Sequence, residues 1–188
     1  IKYKIQKNAN GIPEAFTIGK DFIKNDKVCL NLGDHILFGK KLKKIIKVNI
    51  IDSHKNIIFS IKTKSPQDYG ILIRNKENKP LKIIEKPKSL LSGDAICGLY
   101  FYNNDIINHS KNINLSKRKE YEITDINNNL IKKNILKIVS LDKSNYWFDA
   151  GSLDRLKFVS NLIKKMTQKN IFVGYPEHIA LKNNLISK

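Results

Sequence analysis

The 188-residue chain reads as an α/β protein, with a mixed, mostly parallel sheet flanked by helices and a β-rich insertion. Three observations carry that reading. Apolar runs of strand length alternate with helical periodicity toward both ends, and strand-like runs crowd together in the middle. Neither an internal repeat nor a linker divides the chain, so residues 1–188 are expected to form one domain. A hydrophobic content of 41% is close to the globular norm and argues against disorder.

The elements follow in order. Ile1 to Ile5 alternates apolar and polar residues as a strand does, and Asn8, Asn10 and Gly11 make a loop. Pro13 suits the first turn of a helix carrying Ala15, Phe16, Gly19, Phe22 and Ile23 on one face. After a turn at Asn25-Asp26, Val28, Leu30 and Leu32, with Cys29 between, make a short apolar run that reads as a buried strand; Gly33 stops it and Asp34 stands at its carboxyl end. Leu42, Ile45, Ile46 and Asn49 have helical spacing. Residues 57–61, 69–73 and 81–84 are strands, the last two joined by a hairpin loop over 75–79, and 96–102 is the next. Residues 120–134 are helix-like, with Ile123, Ile126, Leu130 and Ile131 on one side, and 135–141 is β. Ser152 caps a helix with Leu153, Leu156, Val159, Leu162, Ile163 and Met166 inward, and Pro176 opens a last helical segment.

Composition narrows the function classes. The formal net charge of +18 invites a nucleic-acid partner, but only Arg74, Arg118 and Arg155 of the 35 basic residues are arginine. Phosphate and base readers lean on the arginine fork. Lys, Ile and Asn dominate at structural positions too, and all three have A/T-rich codons, so nucleotide bias accounts for the excess. Tyr100, Phe101 and Tyr102 sit together, yet strand alternation sends neighbours to opposite faces, which spoils a stacking platform. No window reaches membrane-span length and the start has no signal-peptide core, so a cytoplasmic protein is expected. Cys29 and Cys97, each in an apolar run, read as buried reduced thiols. The four histidines have no zinc spacing, and no Gly-x-Ser-x-Gly or Cys/His pairing suggests a covalent hydrolase.

Four short stretches set polar or acidic residues beside an apolar strand: Gln6 with Gly11, Gly33-Asp34, Glu85-Lys86-Pro87, and the run 147–151. Two aspartates at strand ends can chelate a hard cation, since Mg²⁺ takes one or two carboxylates plus substrate phosphates. Glu85 beside Lys86 offers an acceptor for sugar hydroxyls and a cation for a phosphate. Gln6 can bond a base edge bidentately, and Gly11 permits close backbone approach. Singly, each has a plain reading: Gly33-Asp34 as a turn, Glu85-Lys86 as a solvated pair, Trp147 as core. Glu120 and Glu122 read equally as first-turn helix acids.

In combination they say more. Gln6-x₄-Gly11, Leu32-Gly33-Asp34, Asp68-Tyr69-Gly70, Glu85-Lys86-Pro87, the Gly98–Tyr102 run, Glu120-Tyr121-Glu122-Ile123-Thr124-Asp125-Ile126-Asn127 and Trp147-x-Asp149-x-Gly151 closely resemble the sugar-1-phosphate nucleotidylyltransferases, in the same order. The wording lies nearest the thymidylyl-transferring members. The resemblance implies a Rossmann-like nucleotide-diphospho-sugar transferase fold with a sugar-binding insertion. It also implies thymidylyl transfer from dTTP to glucose 1-phosphate, giving dTDP-glucose and pyrophosphate. That reaction opens dTDP-rhamnose and cell-surface polysaccharide (lipopolysaccharide, O-antigen) synthesis. The cofactor implied is Mg²⁺ and the assembly a homotetramer, with neither a nucleic acid nor a membrane as partner.

Residue by residue, the resemblance makes Gln6 and Gly11 contacts to the base and Asp34 and Asp149 the metal pair. Gly70, Glu85, Lys86, Ile96, Glu120 and Trp147 become contacts to the sugar phosphate, with Asp34, Lys86 and Asp149 carrying catalysis. There are departures. His35 stands where members have Asn, Ala150 where they have Thr, and Lys7 and Ala9 where prolines are frequent. The family's Gly-x-Gly-Thr-Arg-Leu loop has no counterpart, so the chain is expected to be an interior piece, incomplete at both ends and inactive alone. Alternatives are a UTP, CTP, ATP or GTP donor, a metal-dependent glycosyltransferase, or a basic nucleic-acid-binding module.

Overall fold

The two most continuous apolar runs of the middle region become the central strands, each able to serve a core on both faces. The computed structural model describes residues 1–51 and 54–187. In chain order come helices α1 (Glu14–Ile18) and α2 (Lys20–Ile23), strands β1 (Val28–Asn31) and β2 (His35–Gly39), and helix α3 (Leu42–Ile51). Strand β3 (Asn56–Thr63), a 3₁₀ turn (Pro66–Asp68) and strands β4 (Gly70–Arg74), β5 (Pro80–Glu85) and β6 (Gly93–Tyr102) follow. The rest comprises helices α4 (Ile106–Lys111) and α5 (Ile123–Lys132), strands β7 (Leu136–Ser140) and β8 (Asn145–Asp149), and helices α6 (Leu153–Thr167) and α7 (Pro176–Lys182).

The main sheet has the order β5-β4-β6-β3-β7, with β1 also paired to β6. On β3 and β6, side chains alternate between two clusters. Ile58, Ile96, Tyr100 and Tyr102 join Phe16, Ile106, Ile126 and Leu130 on one face. Ile57, Phe59 and Cys97 join Leu42 and Leu141 on the other, with Phe101 packed against them. Burying an Ile or Phe of this kind is worth about 1.5–3 kcal/mol, so these two strands anchor the molecule.

The α/β class and the mixed, helix-flanked sheet agree with the sequence expectation; the mostly parallel pairing does not. Among the described pairs only β3–β7 is parallel. β4 and β5 are joined by the tight turn at 75–79 and so run antiparallel. β7 reaches β3 only after α4 and α5, the kind of crossover that a parallel pair needs.

Four further expectations are corrected. Residues 1–5 form no strand: Ile1, Tyr3 and Ile5 are exposed, with no ladder partner among the described residues. A strand unpaired leaves its backbone groups to water. Cys29 is exposed, because burial alternates along β1, while Cys97 is buried as expected. Phe22 is exposed, although Phe16 and Ile23 on the same helical stretch are buried. Ser152 does cap α6, its Oγ accepting from Arg155 N, but of the face expected inward only Val159 is buried. Leu153 and Leu156 are exposed, because no described element covers that side of the helix. No described helix is long and apolar enough to cross a membrane.

Candidate active site

One structural unit that sequence patterning did not reveal positions the site. β2 and β8 form a separate two-stranded antiparallel ribbon, pairing His35 with Asp149 and Leu37 with Trp147. β1 ends beside β6, where Leu32 N donates to Gly98 O at 2.9 Å, and the chain turns through Gly33-Asp34 into β2. Ala150 N donates to Asp34 O at 2.8 Å and closes the junction. The result sets Asp34, His35 and Asp149 together, with one candidate ligand atom from each lying within 4.8 Å of the others. Gly151 is part of this cradle: a Cβ there would lie 2.7 Å from Asp34 Oδ2 and 3.0 Å from Asp149 Oδ1.

The donor set fits a hard divalent cation. Two carboxylates supply oxygen, which Mg²⁺ prefers, and the space between them is left open by a glycine. The His35 nitrogen is the softer donor and is otherwise engaged, since Trp147 Nε1 donates to His35 Nδ1 at 3.3 Å. Burial lowers the His35 pKa, partly opposed by the charges of Asp34 and Asp149, which favours the neutral ring that such an acceptor needs.

Beside the carboxylates opens a cavity of about 270 Å³. Of the residues expected at the site, Gly11, Gly70, Glu85, Lys86, Ile96, Glu120 and Asp149 line it. Gly70 pairs with Glu85 across β4–β5, and Lys86 N donates to Tyr69 O at 3.0 Å, so one hairpin delivers all three. Lys86 has a φ of 45°, a left-handed backbone that is uncommon outside glycine and frequent at functional sites. Asp34 sits at the carboxylate cluster rather than in the lining. Two expected contacts fall outside. Gln6 is exposed, its Nε2 donating to Gly11 O at 3.1 Å and Glu14 Oε2 at 2.7 Å. Trp147 stacks edge-on against Tyr69, centroids 4.6 Å apart, and lines a neighbouring hollow of about 250 Å³.

Sequence reasoning missed both arginines of the site. Arg118 donates from Nε and Nη2 to Glu122 at 2.8–3.1 Å, while its Nη2 stands 3.6 Å from Glu85 and 3.7 Å from Glu120. Glu85 Oε2 also accepts from Thr124 Oγ1 at 2.5 Å. Glu85 is thus held between a cation and a hydroxyl. Arg155 binds Asp149 Oδ2 and Asp68 Oδ2, both at 2.5 Å. The Tyr69 hydroxyl, close to both, is pushed up to about 12 by burial first and by Asp149 next. The signal was available in principle: in a chain so dominated by lysine, an arginine marks a place where a fork is used.

A family model described as nucleotidyl transferase matches residues 1–166. The chain belongs to the nucleotidyl transferase family. It is 31% identical over 188 residues to the glucose-1-phosphate thymidylyltransferase of Neisseria meningitidis serogroup A, covering 100% of this chain and 65% of that protein. The enzyme of the same name from Mycolicibacterium smegmatis is 33% identical, over 99% of this chain and 65% of its own. The chain therefore spans just under two thirds of these nucleotidyl transferase relatives. A Bacillus anthracis crystal structure described as a candidate glucose-1-phosphate thymidylyltransferase, in complex with sucrose, superposes with a TM-score of 0.71 at 30% identity. It covers 86% of this chain and 64% of the other. UDP-glucose pyrophosphorylase complexed with UDP-glucose reaches a TM-score of 0.73 at 21% identity, over 87% and 66%, a likeness of fold.

Proposed function

We propose that this chain carries the sugar-phosphate side of a sugar-1-phosphate nucleotidylyltransferase, with dTTP and glucose 1-phosphate as substrates. The observation that carries the reading is the meeting of Asp34 and Asp149 at the edge of a cavity lined by Glu85, Lys86 and Glu120. Relatives named glucose-1-phosphate thymidylyltransferase favour thymidylyl over uridylyl transfer. The basic nucleic-acid module is disfavoured by the burial of Tyr100 and Tyr102, whose faces are closed to bases.

In the proposed reaction a phosphate oxygen of glucose 1-phosphate attacks the α-phosphorus of dTTP. A new P–O bond forms, the bond to the β-phosphate breaks, and pyrophosphate leaves with the electron pair. No protein nucleophile takes part, so the chain's work is positioning and charge neutralisation. Lys86 faces the sugar's phosphate, while Glu85 and Glu120 accept from sugar hydroxyls. Gly70 lets the ring approach: a Cβ there would meet Glu85 Oε2, Ile83 and Thr124 Oγ1, each at 3.2 Å. Gly11 offers backbone to the base, with Gln6 beside it. Asp34 and Asp149 would hold Mg²⁺, which supplies Lewis-acid stabilisation of the phosphates.

About a third of the relatives' length lies outside these 188 residues, and the unpaired 1–5 segment and the exposed Leu153 and Leu156 of α6 fit an interior piece of a longer catalytic domain. The test belongs to the protein that carries this chain. With glucose 1-phosphate and Mg²⁺, pyrophosphate release is expected to be fastest with dTTP among the five nucleoside triphosphates. Asp34→Ala should reduce it at least 10²-fold, the scale of losing one preorganised charge-stabilising group. Turnover that ignores Asp34, or nucleoside diphosphate as the product, would overturn the assignment.

A further inference from the structure

Arg155 is one feature of this site that the proposed reaction leaves unused. It sits in the first turn of α6, and its guanidinium spans two carboxylates: Nη1 donates to Asp149 Oδ2 and Nη2 to Asp68 Oδ2. Its Cζ lies 5.8 Å from the centre of the Tyr69 ring. Asp149 is consequently engaged on both oxygens, because Oδ1 accepts from Gly151 N at 2.7 Å. Asp34 is different: its side chain is about half exposed and meets His35 Nε2 at 3.9 Å. One member of the carboxylate pair is open to solvent; the other already has a cation.

We propose that Arg155 is a built-in competitor for the divalent cation, holding Asp149 until the ion displaces its guanidinium onto Asp68. The inference rests on the reading of Asp34 and Asp149 as metal ligands. A guanidinium cannot shed its proton to make room, so it must move or share. Sharing sets a unit charge close to a double one around a single carboxylate, which is repulsive. Moving is made easy by the fork. When Nη1 leaves Asp149, Nη2 stays on Asp68, and the charge remains over the Tyr69 ring, which attracts cations. Asp68 therefore acts as the resting place that makes release inexpensive, and the Asp68–Arg155 pair sets the affinity of the site. Arg155 is a positioning residue in this account, since it acts through Asp149.

The two partners should push affinity in opposite directions. The probe is Mn²⁺, titrated by electron paramagnetic resonance into the protein that carries this chain and into its variants, with circular dichroism as the check on folding. Arg155→Gln removes the competitor and is expected to tighten Mn²⁺ binding about tenfold, the scale of one partly exposed charge-assisted hydrogen bond. Asp68→Asn removes the resting place, leaves the guanidinium wholly to Asp149, and is expected to weaken Mn²⁺ several-fold. The double variant should match Arg155→Gln alone. Arg155→Lys keeps the charge without the fork and should fall between Arg155→Gln and the parent, so the test survives if the glutamine variant misfolds. Binding that Arg155→Gln leaves unchanged or weakens, or that Asp68→Asn tightens, overturns the proposal. Asp34→Asn separates the two levels. If it binds Mn²⁺ as the parent does, or if the parent binds none, the metal reading falls and this one with it. If Asp34→Asn loses Mn²⁺ while Arg155→Gln changes nothing, only the Arg155 inference fails.

Discussion

A methyl group at position 151 has nowhere to go. Its nearest neighbours, Asp34 Oδ2 at 2.7 Å and Asp149 Oδ1 at 3.0 Å, are the two oxygens that a cation would need to find together. The Gly151→Ala side chain must push them apart, or Asp34 must swing into the solvent it already touches. Either response breaks the pair without unfolding the molecule. If the pair holds a cation, Mn²⁺ affinity is expected to drop between about tenfold and a hundredfold, as for lost supporting contacts at metal sites, with an unaltered circular dichroism spectrum. A titration superimposable on the parent's would show that the carboxylates do not act together. Glycine is required at Gly11 for two reasons at once, a φ of +113° and a Tyr121 carbonyl 2.1 Å from where its Cβ would be. The arginines make the same point about residue type. Arg74 bridges Ser140 Oγ at 2.8 Å and Asn78 O at 3.0 Å, and Arg118 and Arg155 each engage more than one acidic side chain. Lysine, with one nitrogen, serves none of these places equally well.

Helix α6 brings Arg155 to the carboxylates, and its first turn depends on Ser152. The Ser152 Oγ accepts from Arg155 N at 3.3 Å, so the residue that caps the helix also fixes the backbone of the residue that grips Asp149. Ser152→Ala is expected to cost about 1 kcal/mol, read as a lower urea midpoint at unchanged slope. An unchanged midpoint would mean that the ion pairs alone hold this turn. The same helix shows how far local pattern carries. Its cap and length were legible, because both are written in neighbouring residues; its buried face was not, because burial depends on what lies opposite. β3, β6 and α5 were legible for the same local reason, as unbroken apolar runs or a repeated helical stripe. The β2–β8 ribbon was not. Every residue of β2 is half-buried, which leaves no alternation to detect, and its partner strand lies far away in sequence: the Trp147–His35 bond spans 112 positions. Asp34, Asp149, Glu85, Lys86 and Glu120 could be nominated as a set because the resemblance to the family names them together, and the fold brings the last four to one cavity with Asp34 beside Asp149. Arg118 and Arg155 could not be, since their roles exist only once Glu85, Glu122, Asp68 and Asp149 have been brought to them by the fold.

The charge of the whole molecule is lopsided in a useful way. Six of its 17 acids, Asp34, Asp68, Glu85, Glu120, Glu122 and Asp149, gather at one site, while the excess that makes up +18 is spread over the remaining surface as lysine. A surface of that kind repels itself, and folding brings the repelling charges closer together. Added salt should relieve the repulsion, because the screening length falls from about 30 Å at 0.01 M to about 10 Å at 0.1 M. The ion pairs of the site respond the other way, but they are few, and those of Asp149 and Glu122 are the less screened for being largely buried. The net expectation is a thermal midpoint that rises by roughly a few degrees between 10 and 200 mM NaCl. The same change should abolish adventitious binding to a polyanion such as heparin, whose affinity rests on counterion release. A midpoint that falls with salt would reverse the ranking, making the acidic site with its two arginines the dominant electrostatic contribution to stability. In that case Arg155→Gln would remove most of the salt dependence, and the rest of the lysine surface would prove energetically silent.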